Sequence, residues 1–121
     1  MNTIENKLSD LMRLEDVLDA FVVTTSGTVY TVPNATPKIK SPGLVQLIYS
    51  TVQTLLNVLA SFQQYGAERM VIELQDVIIF INSIDSATAL VCVTPQLVNT
   101  GLLEVEMENA RREIRKAVKT S

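Results

Sequence analysis

From Ser41 to Ala67 the chain carries no charged residue, yet its apolar positions keep a helical spacing. Leu44, Ile48, Leu55, Leu59 and Phe62 step by three, four or seven residues and make one apolar stripe. Val45, Tyr49, Val52 and Leu56 make a second stripe beside it. The polar positions left over are Gln46, Ser50, Gln53, Asn57, Ser61 and Gln64, all neutral. This pattern predicts a long helix over 44–65. A helix on the face of a monomeric domain normally shows charge to water, so this one is expected to face a sheet on one side and a second protein chain on the other. Two alternatives compete. The stretch is long enough to cross a bilayer, but Gln46, Gln53, Asn57, Gln63 and Gln64 would lie in or near hydrocarbon, at roughly 2–7 kcal/mol for each unpartnered amide. Insertion in a membrane is therefore disfavoured. The other alternative, a core helix with a neutral outer face, stays open.

Outside this segment the pattern alternates between helical and extended periods. Ile4, Leu8, Leu11 and Met12 predict an amphipathic helix over 3–14, with Asn2 or Thr3 as its cap. β-branched and aromatic runs at 20–25 and 28–32, split by Ser26-Gly27, predict a hairpin. Pro33, Pro37 and Pro42, with Lys38 and Lys40 among them, mark an exposed connection. Its lysines serve either solubility or an acidic docking partner. Gly66 ends the neutral helix. Partial alternation at 69–74, with Met70, Ile72 and Leu74 on one face, predicts a third strand, and Gln75-Asp76 a turn. Val77 to Ile81 is apolar on both faces and is expected to be a central strand covered on both sides. Asn82 to Ser86 reads as a turn and Ala87 to Val93 as the fifth strand. Thr94-Pro95 has the form of a helix start, and Leu103, Met107, Ala110, Ile114 and Ala117 continue as a helical stripe. Gly101 fits that helix only if the backbone approaches the sheet closely; alternatively Asn99 or Thr100 caps a helix that starts later. Glu104, Glu106 and Glu108 precede Arg111, Arg112, Arg115, Lys116 and Lys119, an order that suits the helix dipole and a solvated face.

Helix, two strands, helix, three strands, helix is thus the predicted order. Tight turns make antiparallel pairs, and a strand apolar on both faces needs helices on each side. The expected fold is α/β (α+β): a three-layer α/β/α sandwich on a five-stranded antiparallel sheet, with the middle helix on one face and the terminal helices on the other. A length of 121 residues fits one domain over 1–121.

Composition removes several classes of chemistry. The chain has no histidine, so Ser-His-Asp and Cys-His catalysis and the usual zinc sites cannot be built from it. Its glycines, Gly27, Gly43, Gly66 and Gly101, are scattered, so no phosphate loop or dinucleotide fingerprint can form. A net charge of −3 argues against nucleic-acid binding. Glu15, Asp16 and Asp19 are the remaining acid–base candidates and read as solvated surface on a polar turn. Cys92 is expected to be a small buried apolar group in a reducing cytoplasm, and the mixed charges of the first twelve residues do not suit a signal peptide. No catalytic, cofactor or metal site is expected.

The layout, and in particular Val98-Asn99-Thr100-Gly101-Leu102-Leu103 ahead of a charged helix, resembles the roadblock/dynein-light-chain family, most closely its MglB-like prokaryotic branch. Val17 to Tyr30 with Gly27, the Ile79-Phe80 pair, and Leu90 to Leu103 carry the likeness over nearly the whole chain. Asp19, and Gln75-Asp76 in place of a glycine turn, depart from the family pattern. The resemblance implies a profilin-like sandwich and a homodimer in which the middle helices pack together and the third strands pair edge to edge. Val45, Tyr49, Val52, Leu56, Val71 and Glu73 are then the expected dimer contacts. It further implies a cytoplasmic, non-catalytic regulator or scaffold that binds a small Ras-like GTPase and stimulates its hydrolysis, with Gln53, Asn57, Ser61 and Gln64 as candidate contacts. Those four residues could equally line the dimer seam. A purely structural adaptor and a PAS-like small-molecule sensor are the competing functions.

Overall fold

A computed structural model describes residues 2–33 and 38–120. Among the described residues three α-helices and five strands follow the predicted order: α1 (Thr3–Met12), β1 (Asp19–Thr24), β2 (Val29–Tyr30), α2 (Pro42–Ser61), β3 (Arg69–Glu73), β4 (Val77–Asp85), β5 (Thr88–Pro95) and α3 (Thr100–Thr120). One antiparallel sheet runs β2-β1-β5-β4-β3. The run apolar on both faces, β4, is interior as expected, while β5 takes the middle position. Pro37 of the proline-rich connection and the side chain of Lys119 lie outside the described residues.

The sheet separates two apolar layers, and strand alternation sorts residues between them. Ala20 and Val22 of β1, with Phe80, Leu90 and Cys92, pack against Leu8 and Leu11 of α1 and Leu103, Met107, Ala110 and Ile114 of α3. Phe21 and Val23, with Ile79, Ile81, Val91 and Val93, pack against Ile48, Val52, Leu56 and Leu59 of α2. This is the three-layer α/β/α sandwich.

Local chemistry sets the helix ends. The Asn2 side chain accepts a hydrogen bond from the Glu5 amide at 2.8 Å and caps α1. Ser41 caps α2, with Pro42 in the first turn where its missing amide proton costs nothing. After Ser61 the chain tightens into a 3₁₀ turn, Gln63–Tyr65, and Gly66 follows at φ 88°, a left-handed value that suits glycine. The neutral helix therefore spans two residues more at its start than expected and ends four earlier.

Two predicted boundaries are corrected. Asn82 to Ser86 is mostly strand: β4 continues to Asp85 through an irregularity at Ser83/Asp85, and the turn is at Ser86-Ala87. Thr94-Pro95 ends β5 and does not start a helix. The α3 cap is Asn99, whose Oδ1 accepts from the Leu102 amide at 3.1 Å. Gly101 lies in the first turn of α3, and a Cβ there would meet only Asn99 Oδ1 at 3.6 Å, so no close approach to the sheet explains this glycine.

Candidate protein-binding surface

At 3.6 residues per turn, α2 resolves into three faces. Ile48, Val52, Leu56 and Leu59 are buried against the sheet. On one flank, Leu47, Val58 and Phe62, continued by Tyr65 in the 3₁₀ turn, leave 60%, 42%, 55% and 78% of their surfaces exposed. Thr51 and Thr54 fill the same flank between them. The third face carries Gln46, Ser50, Asn57 and Ser61, all exposed, and Gln64 of the 3₁₀ turn beyond it is exposed too. By length and composition α2 is long and apolar enough to cross a membrane, and 28% of its most apolar window is buried in this fold. Most of an uncharged helix is thus left facing outward from this sheet.

The dimer seam expected on α2 has to be redrawn. Val52 and Leu56 have no accessible surface and belong to the core, so they cannot meet another chain. Val45 is half-buried at the margin of the same core. Tyr49 turns toward β1: its hydroxyl donates to Asp19 Oδ2 at 3.1 Å, and its ring meets Phe21 edge-on with centroids 4.7 Å apart. Gln53 leans the same way, against Gly27 in the β1–β2 turn. These contacts fix the orientation of α2. The Tyr49–Gln53 flank faces β1 and β2, so the Leu47–Val58–Phe62–Tyr65 flank faces the opposite side, toward β4 and β3. Sequence periodicity missed Leu47, Val58 and Tyr65 because two threonines interrupt their stripe.

Two serine hydroxyls on the outer side of α2 are already satisfied. Ser50 Oγ and Ser61 Oγ donate to the carbonyls of Leu47 and Asn57 at 3.2 and 3.0 Å. A surface covering these residues would strand neither donor. Of the proposed GTPase contacts, Asn57, Ser61 and Gln64 are exposed and Gln53 is half-buried.

Beside the apolar flank, the sheet ends at β3. Arg69, Val71 and Glu73 are exposed and alternate with half-buried Met70 and Ile72. Leu74 N donates to Val77 O and Ser83 N to Glu68 O, both at 2.8 Å. With the uniform β3–β4 register, that fixes the hydrogen-bonding parity: even-numbered residues turn their main-chain groups toward β4, and Arg69, Val71 and Glu73 turn theirs outward. The Arg69 guanidinium also pairs with Glu104 of α3 at 3.1 Å.

Asp19 is not on a solvated turn. It starts β1 with 4% of its surface exposed, and burial raises its carboxyl above the usual range, against the lowering effects of the Tyr49 hydroxyl and the Ala20 amide. Burial and the neighbouring Asp19 together push the Tyr49 phenol up to about 12. Burial, and secondarily Asp19, raise the Cys92 thiol out of the reactive range. Cys92 is fully buried as expected.

The charged face of α3 is also less solvated than its pattern suggests. Arg111 Nε donates to Ser83 O at 2.6 Å and Arg115 Nε to Ile84 O at 2.7 Å, supplying donors to carbonyls freed where β4 loses its regular register. Arg111 pairs with Glu108 at 3.2 Å in a cleft of about 420 Å³ that Arg69, Asn82 and Glu104 also line. Among the described residues, no group of three or more acidic or cysteine side chains is placed to hold a metal ion.

No protein-family model matches the sequence, and no curated protein matches it. Solved structures do match in fold. A Roadblock/LC7 domain from Streptomyces avermitilis superposes with a TM-score of 0.73 at 17% identity, over 95% of this chain and 97% of that one. Myxococcus xanthus MglB gives 0.75 at 17% identity, over 100% of this chain and 98% of that one. An MglB with a tetrameric arrangement gives 0.73 at 14% identity, over 93% and 85%. At these identities the likeness speaks to architecture, and it spans nearly the whole of each chain: this protein has the roadblock/LC7 fold.

Proposed function

We propose that this chain is a non-catalytic homodimeric regulator or scaffold that binds a small Ras-like GTPase. The supporting observation is the outer surface of α2, which is uncharged and carries an exposed apolar flank on the same side as the open edge of β3. A second copy approaching that side would cover Leu47, Val58, Phe62 and Tyr65 and give the β3 main chain a partner. In this reading the self-association surface is that flank together with Val71 and Glu73. Asn57, Ser61 and Gln64, with Gln53 at their margin, are left on the remaining face of α2 as the contacts for the GTPase. The GTPase itself comes from the MglB-like resemblance of the sequence, which the shared fold supports.

Purified protein incubated with the Ras-like GTPases of its host, each loaded with GTP and with GDP, tests the proposal. Binding to one of them that depends on the nucleotide is the expected result, with faster GTP hydrolysis if the protein stimulates its partner. Binding with unchanged turnover would make the chain a structural adaptor. Failure to bind any of them in either state would remove the GTPase from the account.

A further inference from the structure

We infer that the corner between the end of α1 and the start of α3 is a docking site for a short peptide segment of another protein, an arginine flanked by apolar residues. The site lies on the opposite layer of the sandwich from α2, so it rests neither on the GTPase nor on self-association.

Two connections passing over the margin of the core build it. After α1 the chain turns through Leu14 to Val17, whose amide donates to the Leu14 carbonyl at 3.1 Å, and then enters β1. After β5 it runs through Val98 to Asn99, the cap of α3. Between the two connections lies a cavity of about 170 Å³ walled by Leu14, Val17, Val98, Leu102 and Leu103. Val17 and Leu103 are buried core residues. A cavity on the order of 150 Å³ holds a benzene molecule, so this one admits a single long side chain.

Charge selects that side chain. Glu15, exposed, and Asp16, half-buried, also line the cavity. Neither carboxylate has a hydrogen-bond or ion-pair partner among the described residues. The basic groups that flank this corner are engaged elsewhere: Arg13 pairs with Asp10 at 3.6 Å, and Lys38 Nζ donates to the Met12 carbonyl at 3.3 Å. The start of α3 favours negative charge nearby, yet no amide of that helix donates to either group. Both still lack a cation. Arginine suits the place better than lysine, because its planar guanidinium offers paired hydrogen bonds to carboxylates and is less strongly hydrated. Its alkyl stem would lie along the leucine and valine walls.

The surroundings supply the apolar part. Leu102 and Val105, three residues apart on the outer side of α3, and Leu97 ahead of its cap leave half or more of their surfaces exposed. Leu102 belongs both to the cavity and to this strip. A segment whose arginine enters the cavity therefore brings its neighbouring apolar residues over Leu102 and Val105. So short a strip suits a linear peptide of modest affinity and not a folded domain.

Random peptides displayed on phage and selected on the purified protein supply the probe, and a synthetic copy of the most enriched sequence is titrated by fluorescence anisotropy. Enriched sequences are expected to carry an arginine with apolar neighbours. Affinity should fall about tenfold or more when Glu15→Gln is combined with Asp16→Asn, an isosteric pair whose folding is checked by circular dichroism. Val105→Ser should also weaken binding, and Asn57→Ala on α2 should leave it unchanged. Selection of sequences without a basic residue, of peptides indifferent to the carboxylate pair, or of none above an unrelated control protein would overturn the inference. So would two other results. Sedimentation that changes with Glu15→Gln and Asp16→Asn would assign the corner to a second copy of this chain. Binding to neutral phosphatidylcholine vesicles that is lost with Val105→Ser would assign it to a membrane.

Discussion

Replacing Phe62 with alanine should weaken self-association about a thousandfold. Phe62 ends α2 on the apolar flank and leaves 55% of its surface exposed in the single chain. A phenylalanine presents about 200 Å², so roughly 110 Å² remains to be covered by a second copy. At about 25 cal/mol per Å² that is worth ~2.7 kcal/mol, and ~2 kcal/mol after allowing for the area an alanine would still bury. A two-fold interface counts the residue twice, giving ~4 kcal/mol per dimer and close to three decades in Kd. Sedimentation equilibrium over a wide concentration range measures this directly. Denaturation of the isolated protomer, followed separately, removes any loss of intrachain packing from the comparison. Leu97→Ala is the control, because Leu97 is 90% exposed and precedes α3, on the other layer of the sandwich. A Kd for the Phe62 variant within threefold of wild type, or a Leu97 effect as large, would refute the assignment of the α2 flank to the dimer.

Three further outcomes follow from the protomer. Leu56→Ala should cost about 2–5 kcal/mol of stability by opening a core cavity, measured by urea denaturation; a cost below 1 kcal/mol would return Leu56 to the surface role its stripe suggested. Gly27→Ala should destabilise by more than about 1 kcal/mol, because φ is +96° and the new Cβ would lie 2.9 Å from Gln53 Nε2; adding Gln53→Ala should recover the clash but not the backbone strain. Asp19 gives a pH dependence. Its folded pKa is raised above the ordinary value of 3.8, so the folded state holds the proton more tightly than the unfolded chain. The stability it contributes is complete below the unfolded value and is lost as pH rises through the folded one. Asp19→Asn should therefore remove that decline and be more stable than wild type at pH 7, by chemical denaturation at pH 4 and 7. A variant less stable at pH 7 would mean that the Tyr49 bond sustains the ionised form.

Where local chemistry decides the structure, the sequence could be read closely. The periods of α1, α2 and α3, the Ser26-Gly27 and Gln75-Asp76 turns, and the doubly apolar β4 all act through neighbours in sequence. What failed depended on contacts from far along the chain. Asp19 looked solvated beside Glu15 and Asp16, yet β1 begins there because Leu18 and Asp19 join the β5 ladder, and Tyr49, thirty residues away, meets its carboxylate. Thr94-Pro95 matched a helix start, but β4 extends far enough to pair with Pro95. Along α2 the spacing revealed apolar stripes without saying which faced the sheet. By spacing alone Val52 and Leu56 read as outward, and Leu47, Val58 and Tyr65 join no stripe, because only the Asp19–Tyr49 and Gly27–Gln53 contacts fix the rotation of the helix. The arginines of α3 fitted a solvated face, and their carbonyl partners exist only because β4 is irregular near Ser83.

The proposed function depends on a second molecule covering the outer flank of α2 and the free edge of β3. Analytical ultracentrifugation of the unmodified protein at micromolar concentration tests that most directly. The account predicts a species of twice the chain mass that separates only on strong dilution. A single chain persisting through the micromolar range would contradict it.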